Sequence, residues 1–297
     1  MRVGLALTTL EGGLQGRTPS FRDLRELAQG AEQMGFASLW MGDHLLYRFP
    51  GEEERGLWEV FSMLSALAAV TTRIMLGSLV ACTSFRSPAL LAKIADTIDE
   101  ISGGRLILGL GAGWHQPEYE AFGYPFDHLV GRFEEALQVM VPLLRQGRVD
   151  FHGHHYQVHN CVLRPRGPSP SGPPLWIGAE GPRMLQLVAR YADGWNTAWH
   201  SDSTAVKQRC QEVKSACQAV GRDPTSLALT AGVRVRLPAT EEDTRASEAL
   251  SGSPEAIASQ LKRFAEVGIT HLIVALEPKS LAGIERFAHI VALLPQQ

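Results

Sequence analysis

A repeated order of buried strand, helix and glycine-rich loop is the feature that most limits how this chain can fold. Residues 73–81 are mostly apolar, as expected for a strand that is covered on both faces. Ser87 and Pro88 then open a stretch with apolar residues at helical spacing, and residues 105–110 form a second apolar run. This order predicts two parallel strands joined by a crossover helix, followed by the glycine loop 111–113, where the bare backbone would let a ligand approach closely.

The same order recurs along the whole chain. Strands are predicted at 3–7, 37–41, 73–81, 105–110, 175–178, 194–197, 227–235 and 270–276. Helices are predicted at 18–34, 57–71, 88–101, 132–145, 182–191, 204–220, 253–267 and 281–294, with a loop at 241–245. Eight strands that alternate with helices predict an α/β fold of the (β/α)8 TIM-barrel type, in one domain over residues 1–297. An open doubly wound sheet is the alternative, but it would require a second domain, and no change of composition indicates one.

Residues 147–174 interrupt this order and are rich in His, Gly and Pro, which predicts an insertion with a short hairpin at 149–158. Histidines cluster in it at positions 152, 154, 155 and 159. Neighbouring residues of a strand point to opposite faces, so the four histidines are not expected to converge, and no metal site is predicted. A metal-dependent barrel hydrolase that uses this cluster is kept as a rival interpretation.

Composition excludes several classes of partner. With 28 basic and 31 acidic residues the net charge is -3, and the absence of a basic run argues against nucleic acid. The four cysteines are scattered and show no CxxC spacing, which indicates reduced thiols in a cytoplasmic protein. The apolar run at the beginning of the chain is too short for a signal sequence or a membrane span, so no membrane partner is expected.

Four loops that follow predicted strands carry candidate functional residues, because catalytic residues of such barrels lie at the carboxyl ends of the strands. Asp43 and His44 follow the second strand and combine a carboxylate with the side chain that most readily exchanges a proton near neutral pH. Loops 81–86 and 111–115 follow the third and fourth strands. Loop 178–182 precedes a helix whose amino terminus suits a phosphate. Ordinary turn and cap roles are the alternative for each loop.

Six stretches carry a resemblance to a known family. They are LWMGDHL (39–45), the long segment 73–126, RFEEALQVM (132–140), FHGHHY (151–156), PPLWIGAEGPRMLQLVARYADGWN (173–196) and GSPEAIASQLKRFAEVGITHLIV (252–274). They stand in the family's order over nearly the whole chain. The chain thereby resembles the luciferase-like monooxygenase superfamily, and within it the coenzyme F420-dependent oxidoreductases.

The resemblance implies a luciferase-like TIM barrel that transfers a hydride between the deazaflavin F420 and a small organic substrate. Asp43 and His44 match the family's pair beside the deazaflavin, with His44 as proton donor or acceptor and Asp43 orienting. A non-prolyl cis peptide is implied near Leu79–Val80, and a homodimer is expected. The implied cofactor contacts are Asp43, Ser78, Leu79, Val80, Cys82, Ala112, Gly113, Trp114, Gly178, Ala179, Glu180 and Gly181.

One departure from the family affects the expected substrate. Sugar-phosphate dehydrogenases of this family place a glutamate where this chain has Trp114, so a different substrate and a different acid are expected here. Trp114 would instead form an apolar wall, and Glu118 lies near in sequence. Two further rivals are an FMN-dependent monooxygenase served by a separate reductase and a cofactor carrier or sensor without catalysis.

Overall fold

Eight parallel strands form a closed barrel in the computed structural model, which describes residues 1–238 and 249–295; the loop predicted at 241–245 lies outside these ranges. The barrel strands are Arg2–Ala6, Ser38–Met41, Met75–Ser78, Leu106–Gly111, Leu175–Gly178, Gly194–His200, Ala228–Arg236 and His271–Glu277. Each strand pairs with the next, and the first strand pairs with the eighth, which closes the sheet. The predicted TIM barrel is confirmed.

Helices surround this barrel at nearly the predicted positions. They span Phe21–Gln33, Val60–Val70, Pro88–Ser102, Gln116–Phe122, Leu129–Gln146, Pro182–Tyr191, Ser203–Ala219, Pro254–Glu266 and Leu281–Ala292. Local hydrogen bonds fix where helices begin. The Ser20 side chain accepts a bond from the Asp23 amide, and the Ser253 side chain accepts one from the Ala256 amide. Within residues 1–238 and 249–295, no helix combines the length and the apolar character that crossing a membrane requires.

Two predictions after the fourth strand were wrong. No helix was predicted between residues 113 and 132, but the structure has the helix Gln116–Phe122 there, which begins with a proline in its first turn and ends at Gly123 in the left-handed region. Seven residues are too few to show an apolar repeat, which is why periodicity missed this helix. The next helix begins at Leu129, three residues earlier than predicted.

The insertion folds into the predicted hairpin, and its strands Arg148–His152 and Gln157–Val162 extend further than expected. Its apolar face packs on the core through partly buried side chains, among them Val149, Phe151 and Val158. The hairpin therefore lies on the outside of the barrel and leaves the strand order undisturbed.

Two stacked tryptophans lie inside the barrel together with the buried polar residues Ser38 and His271. Trp40 and Trp176 stack with ring centroids 4.9 Å apart, and the His271 ring lies edge-on to Trp176 at 5.3 Å. The indole N–H of Trp40 donates to Ser38 Oγ at 2.7 Å, and Ser38 Oγ lies 2.7 Å from His271 Nε2. The Ser38 hydroxyl can thus donate to a neutral His271, which satisfies these buried polar groups.

The free energy of unfolding is expected to fall when the pH is lowered below about 6.5, because burial lowers the pKa of His271 to about 4. The unfolded chain takes up the proton near the ordinary pKa, whereas the folded chain takes it up only near pH 4. The contribution of His271 to the free energy of unfolding is therefore complete above about pH 6.5. About 2 to 3 kcal/mol of it is lost when the pH reaches about 4.5. Urea unfolding of the wild type and of His271→Asn, each at about pH 6.5 and about pH 4.5, measures this loss. Equal losses in the two proteins would contradict the assignment.

Candidate active site

A cavity of about 800 Å³ opens at the carboxyl ends of the barrel strands. Ten of the twelve predicted cofactor residues line it together with the predicted proton-transfer residue His44, and these ten are Asp43, Leu79, Val80, Cys82, Ala112, Gly113, Trp114, Gly178, Ala179 and Glu180. Ser78 lies deeper, fully buried, and donates its hydroxyl to the Gly109 carbonyl at 2.7 Å. Gly181 is the N-cap of the helix Pro182–Tyr191. The four separate loops therefore converge on one site.

His44 is held by Glu118, which lies on the short helix Gln116–Phe122. The Nδ1 atom of His44 lies 2.8 Å from Glu118 Oε1, and Glu118 Oε2 accepts the amide N–H of Leu45 at 2.9 Å. Glu118 is 1 % exposed. A carboxylate only accepts hydrogen bonds, so the proton of a neutral His44 is placed on Nδ1, and Nε2 is left to act on a ligand.

Asp43 has a different set of partners from those expected of a residue that orients His44. Its carboxylate accepts two bonds from Arg86, at 2.7 and 3.0 Å, and the amide N–H of Cys82 at 2.9 Å. Burial raises the pKa of Asp43, and the Arg86 guanidinium opposes this shift. Arg86 also donates to Glu59 at 2.6 Å. Asp43 therefore fixes the loop after the third strand, while Glu118 fixes His44.

Aromatic side chains form the cavity wall around His44. The rings of Tyr47 and Trp114 lie 4.6 and 5.4 Å from the His44 ring, and Phe49 is near-parallel to Trp114 at 6.5 Å. Burial raises the pKa of Tyr47 to about 12, so its hydroxyl keeps its proton at neutral pH. These three aromatic side chains give the cavity an apolar wall next to His44.

The glycines of the 109–113 loop accommodate the protein's own side chains. The Leu79–Val80 peptide is cis, as the family resemblance implies. A Cβ atom on Gly111 would lie 2.6 Å from Val80 Cγ2, and one on Gly113, whose φ is +85°, would lie 1.8 Å from the Tyr119 hydroxyl. Gly111 lines the cavity, and its lack of a side chain also makes room for Val80, which lines the same cavity.

Replacing Gly111 with alanine is expected to destabilise the protein by about 1 to 3 kcal/mol, because the added methyl group overlaps Val80 Cγ2. Thermal or urea unfolding measures the loss. The double variant Gly111→Ala/Val80→Ala removes the overlapping methyl group, so it should be less destabilised than the sum of the two single variants. Additive losses would show that the two side chains do not compete for space.

Two alternative chemistries find no support in the geometry. Burial raises the pKa of Cys82 to about 11, and its Sγ atom lies 2.9 Å from the Tyr119 hydroxyl, so it is a thiol at neutral pH rather than an activated nucleophile. All four cysteines are free, as predicted. His154 and His155 lie at the hairpin turn, where Glu135 accepts both of their amide N–H groups. The insertion histidines are not among the residues that line the cavity containing His44, so they supply no metal ligands to that cavity.

Several residues of the cavity were missed or left open by sequence reasoning. Asn196, Thr197 and Trp199 lie on the sixth strand, which continues to His200 instead of ending at 197, and Arg234 lies near the end of the seventh. The rule that selects strand ends could have found these residues if it had been applied to the later strands. Glu118 was left open because the short helix that places its carboxylate against His44 was not predicted.

The comparisons with known proteins agree with this architecture. The family description of luciferase-like monooxygenases matches residues 1–248. A phthiodiolone/phenolphthiodiolone dimycocerosates ketoreductase of Mycobacterium tuberculosis is 30% identical over 242 residues, which are 75% of this chain and 63% of that protein. The pyrimidine monooxygenase RutA of Stutzerimonas stutzeri is 34% identical over 227 residues, which are 71% of this chain and 60% of that protein. The chain thus spans less than two thirds of the length of either relative.

A solved structure has the same fold over its full length. The F420-dependent secondary alcohol dehydrogenase in complex with an F420-acetone adduct superimposes with a TM-score of 0.85 over 99% of both chains, at 18% identity. Because the family match covers most of the sequence, the chain belongs to the luciferase-like monooxygenase family.

Proposed function

We propose that this protein is an F420-dependent oxidoreductase that moves a hydride between the deazaflavin and a small organic substrate with a carbonyl or alcohol group. The observation that carries the proposal is the meeting of Leu79 and Val80 with the His44–Glu118 pair in one cavity. The names of the ketoreductase and of the F420-dependent alcohol dehydrogenase support the same class of reaction.

The cavity fits a deazaflavin in size and in the groups it offers. Its volume of about 800 Å³ lies within the range of roughly 300–1,000 Å³ usual for cofactor and ligand sites. Val80 and the backbone of Ala112 and Gly113 would support the ring system. The helix Pro182–Tyr191 begins without a side-chain cap, so its first-turn N–H groups would be available to a phosphate.

The protein's own contribution to the reaction would be proton exchange and orientation. When bound, F420 would supply the hydride chemistry at one ring carbon. Glu118 holds Nδ1 of His44, so that Nε2 would give a proton to a carbonyl oxygen or take one from an alcohol. The aromatic wall of Tyr47, Phe49 and Trp114 would exclude water from this proton transfer and favour an apolar substituent on the substrate.

An FMN-dependent monooxygenase is the second candidate, because RutA, a relative of similar identity, is named a monooxygenase. The same cavity and helix terminus would serve the FMN phosphate. This candidate predicts oxygen consumption with reduced FMN and a reductase, whereas the F420 proposal predicts none.

Titration of the purified protein with F420 and separately with FMN tests the proposal. We expect micromolar binding of F420 and binding of FMN at least about tenfold weaker, followed by turnover with a panel of secondary alcohols and ketones. Tight FMN binding with no F420 binding would overturn the cofactor assignment. F420 binding without turnover of any panel member would favour a carrier or a different substrate class.

A further inference from the structure

The outward face of the insertion hairpin brings together three side chains that the cavity does not use. Asp150 and His152 lie two residues apart on the first strand, and His159 lies on the second strand. All three are exposed, and their potential ligand atoms all lie within 4.8 Å of one another. The Oδ1 atom of Asp150 is 3.2 Å from His152 Nε2, and the rings of His152 and His159 are 4.8 Å apart.

The register of the hairpin brings these three residues to one exposed face. Val149 pairs with Cys161 and Phe151 pairs with Val158, so Asp150 alone opposes two residues, His159 and Asn160. Asn160 takes up the extra residue in the left-handed region, at φ +46°. Because His152 pairs with Gln157, alternation places residue 159 on the same face as residues 150 and 152. The bulge at Asn160 lies directly beside this cluster.

Two imidazoles and one carboxylate are a ligand set for a divalent transition-metal ion such as Zn²⁺. Bonds of about 2.0–2.1 Å in a tetrahedral site place the ligand atoms roughly 3.3 Å apart. The exposed side chains would have to close by at most about 1.5 Å from the observed spacing, which rotation of their outer bonds can provide. Mg²⁺ and Ca²⁺ prefer oxygen ligands, so this set discriminates against them.

We propose that Asp150, His152 and His159 form a surface site for Zn²⁺ or a similar transition-metal ion, with water as the remaining ligand. The ion would connect the two strands at the bulge, where the regular ladder of backbone bonds is interrupted. The site lies outside the cavity that contains His44, so its role is structural and independent of the proposed hydride transfer.

Calorimetric titration of Zn²⁺ into the full-length protein, freed of metal with a chelator, tests the site. We expect one equivalent to bind with micromolar affinity, and His159→Asn to weaken binding by at least about tenfold. Co²⁺ should give the absorption bands of a site with imidazole ligands, and excess Mg²⁺ should not displace Zn²⁺. Circular dichroism of His159→Asn checks that this exposed substitution leaves the fold intact.

The double variant His154→Asn/His155→Asn is the matched control, because it removes two histidines from the turn of the same hairpin and none from the proposed site. It should bind Zn²⁺ like the wild type. The proposal is overturned if the wild type binds no Zn²⁺, if His159→Asn binds it with unchanged affinity, or if the control loses binding to the same extent.

Discussion

His44→Asn is expected to lower kcat by about 10²- to 10⁴-fold while the dissociation constant of F420 changes by less than about threefold. His44 lines the cavity, and Glu118 fixes its Nδ1 atom, which makes Nε2 the candidate proton donor and acceptor. Asparagine can still donate to Glu118 from its amide but cannot exchange a proton near neutral pH. Steady-state rates and a binding titration, both followed by F420 absorbance, separate the two effects.

His128→Asn provides the matched control, since it makes the same chemical change at an exposed histidine that is not among the residues lining the cavity. Asparagine also tolerates the left-handed backbone at that position. Its kcat should equal that of the wild type. A decrease of less than about threefold for His44→Asn would show that His44 does not transfer the proton.

Glu118→Gln distinguishes a positioning role from a purely structural one. The glutamine amide can donate to His44, which would shift the ring proton away from Nδ1 and misplace the reactive nitrogen. We therefore expect a lower kcat and a changed pH–rate profile, with F420 affinity retained. If only the unfolding free energy changes, Glu118 serves the fold rather than the reaction.

The barrel could be predicted from the sequence because its strands are covered on both faces and read as mostly apolar runs. Residues 73–81 and 105–110 are such runs, and each contains a barrel strand. The first of these runs was predicted as one strand, but the chain departs from the sheet at the cis Leu79–Val80 peptide, between Met75–Ser78 and the short strand Ala81–Cys82. Burial alone does not reveal such a departure, and the position was indicated by family resemblance instead.

The partners within the site could not be predicted, because they depend on contacts between residues far apart in sequence. Asp43 and His44 are adjacent, yet one side chain bonds Arg86 and the other bonds Glu118. Successive residues after a strand point in different directions, so adjacency gives no information about shared partners. The strand-end rule identified residues that line the cavity, and the loop geometry decided which of them are bonded to each other.

Replacing Arg86 with methionine is expected to lower the free energy of unfolding more than any other substitution proposed for this protein. Arg86 is mostly buried, donates two bonds to Asp43 and one to Glu59, and its guanidinium lies 4.7 Å above the Phe61 ring. Arg86→Met should reduce the free energy of unfolding by about 3 to 5 kcal/mol, because it leaves the buried Asp43 carboxylate without its counter-charge. Urea unfolding in the absence of cofactor measures this loss without interference from ligand binding.

A double-mutant cycle shows whether the buried charge is the cause. In Asp43→Asn/Arg86→Met the unpaired carboxylate is absent, so the double variant should be more stable than the sum of the single losses implies, by about 0.5 to 3 kcal/mol. Arg86→Lys keeps the charge but not the two-pronged geometry, and its loss should be intermediate. Additive losses in the cycle would mean that Arg86 stabilises the loop through its packing on Phe61 and its bond to Glu59. In that case the Cys82 amide would be the bond that holds Asp43, and the place of Asp43 in the cavity wall would not depend on Arg86.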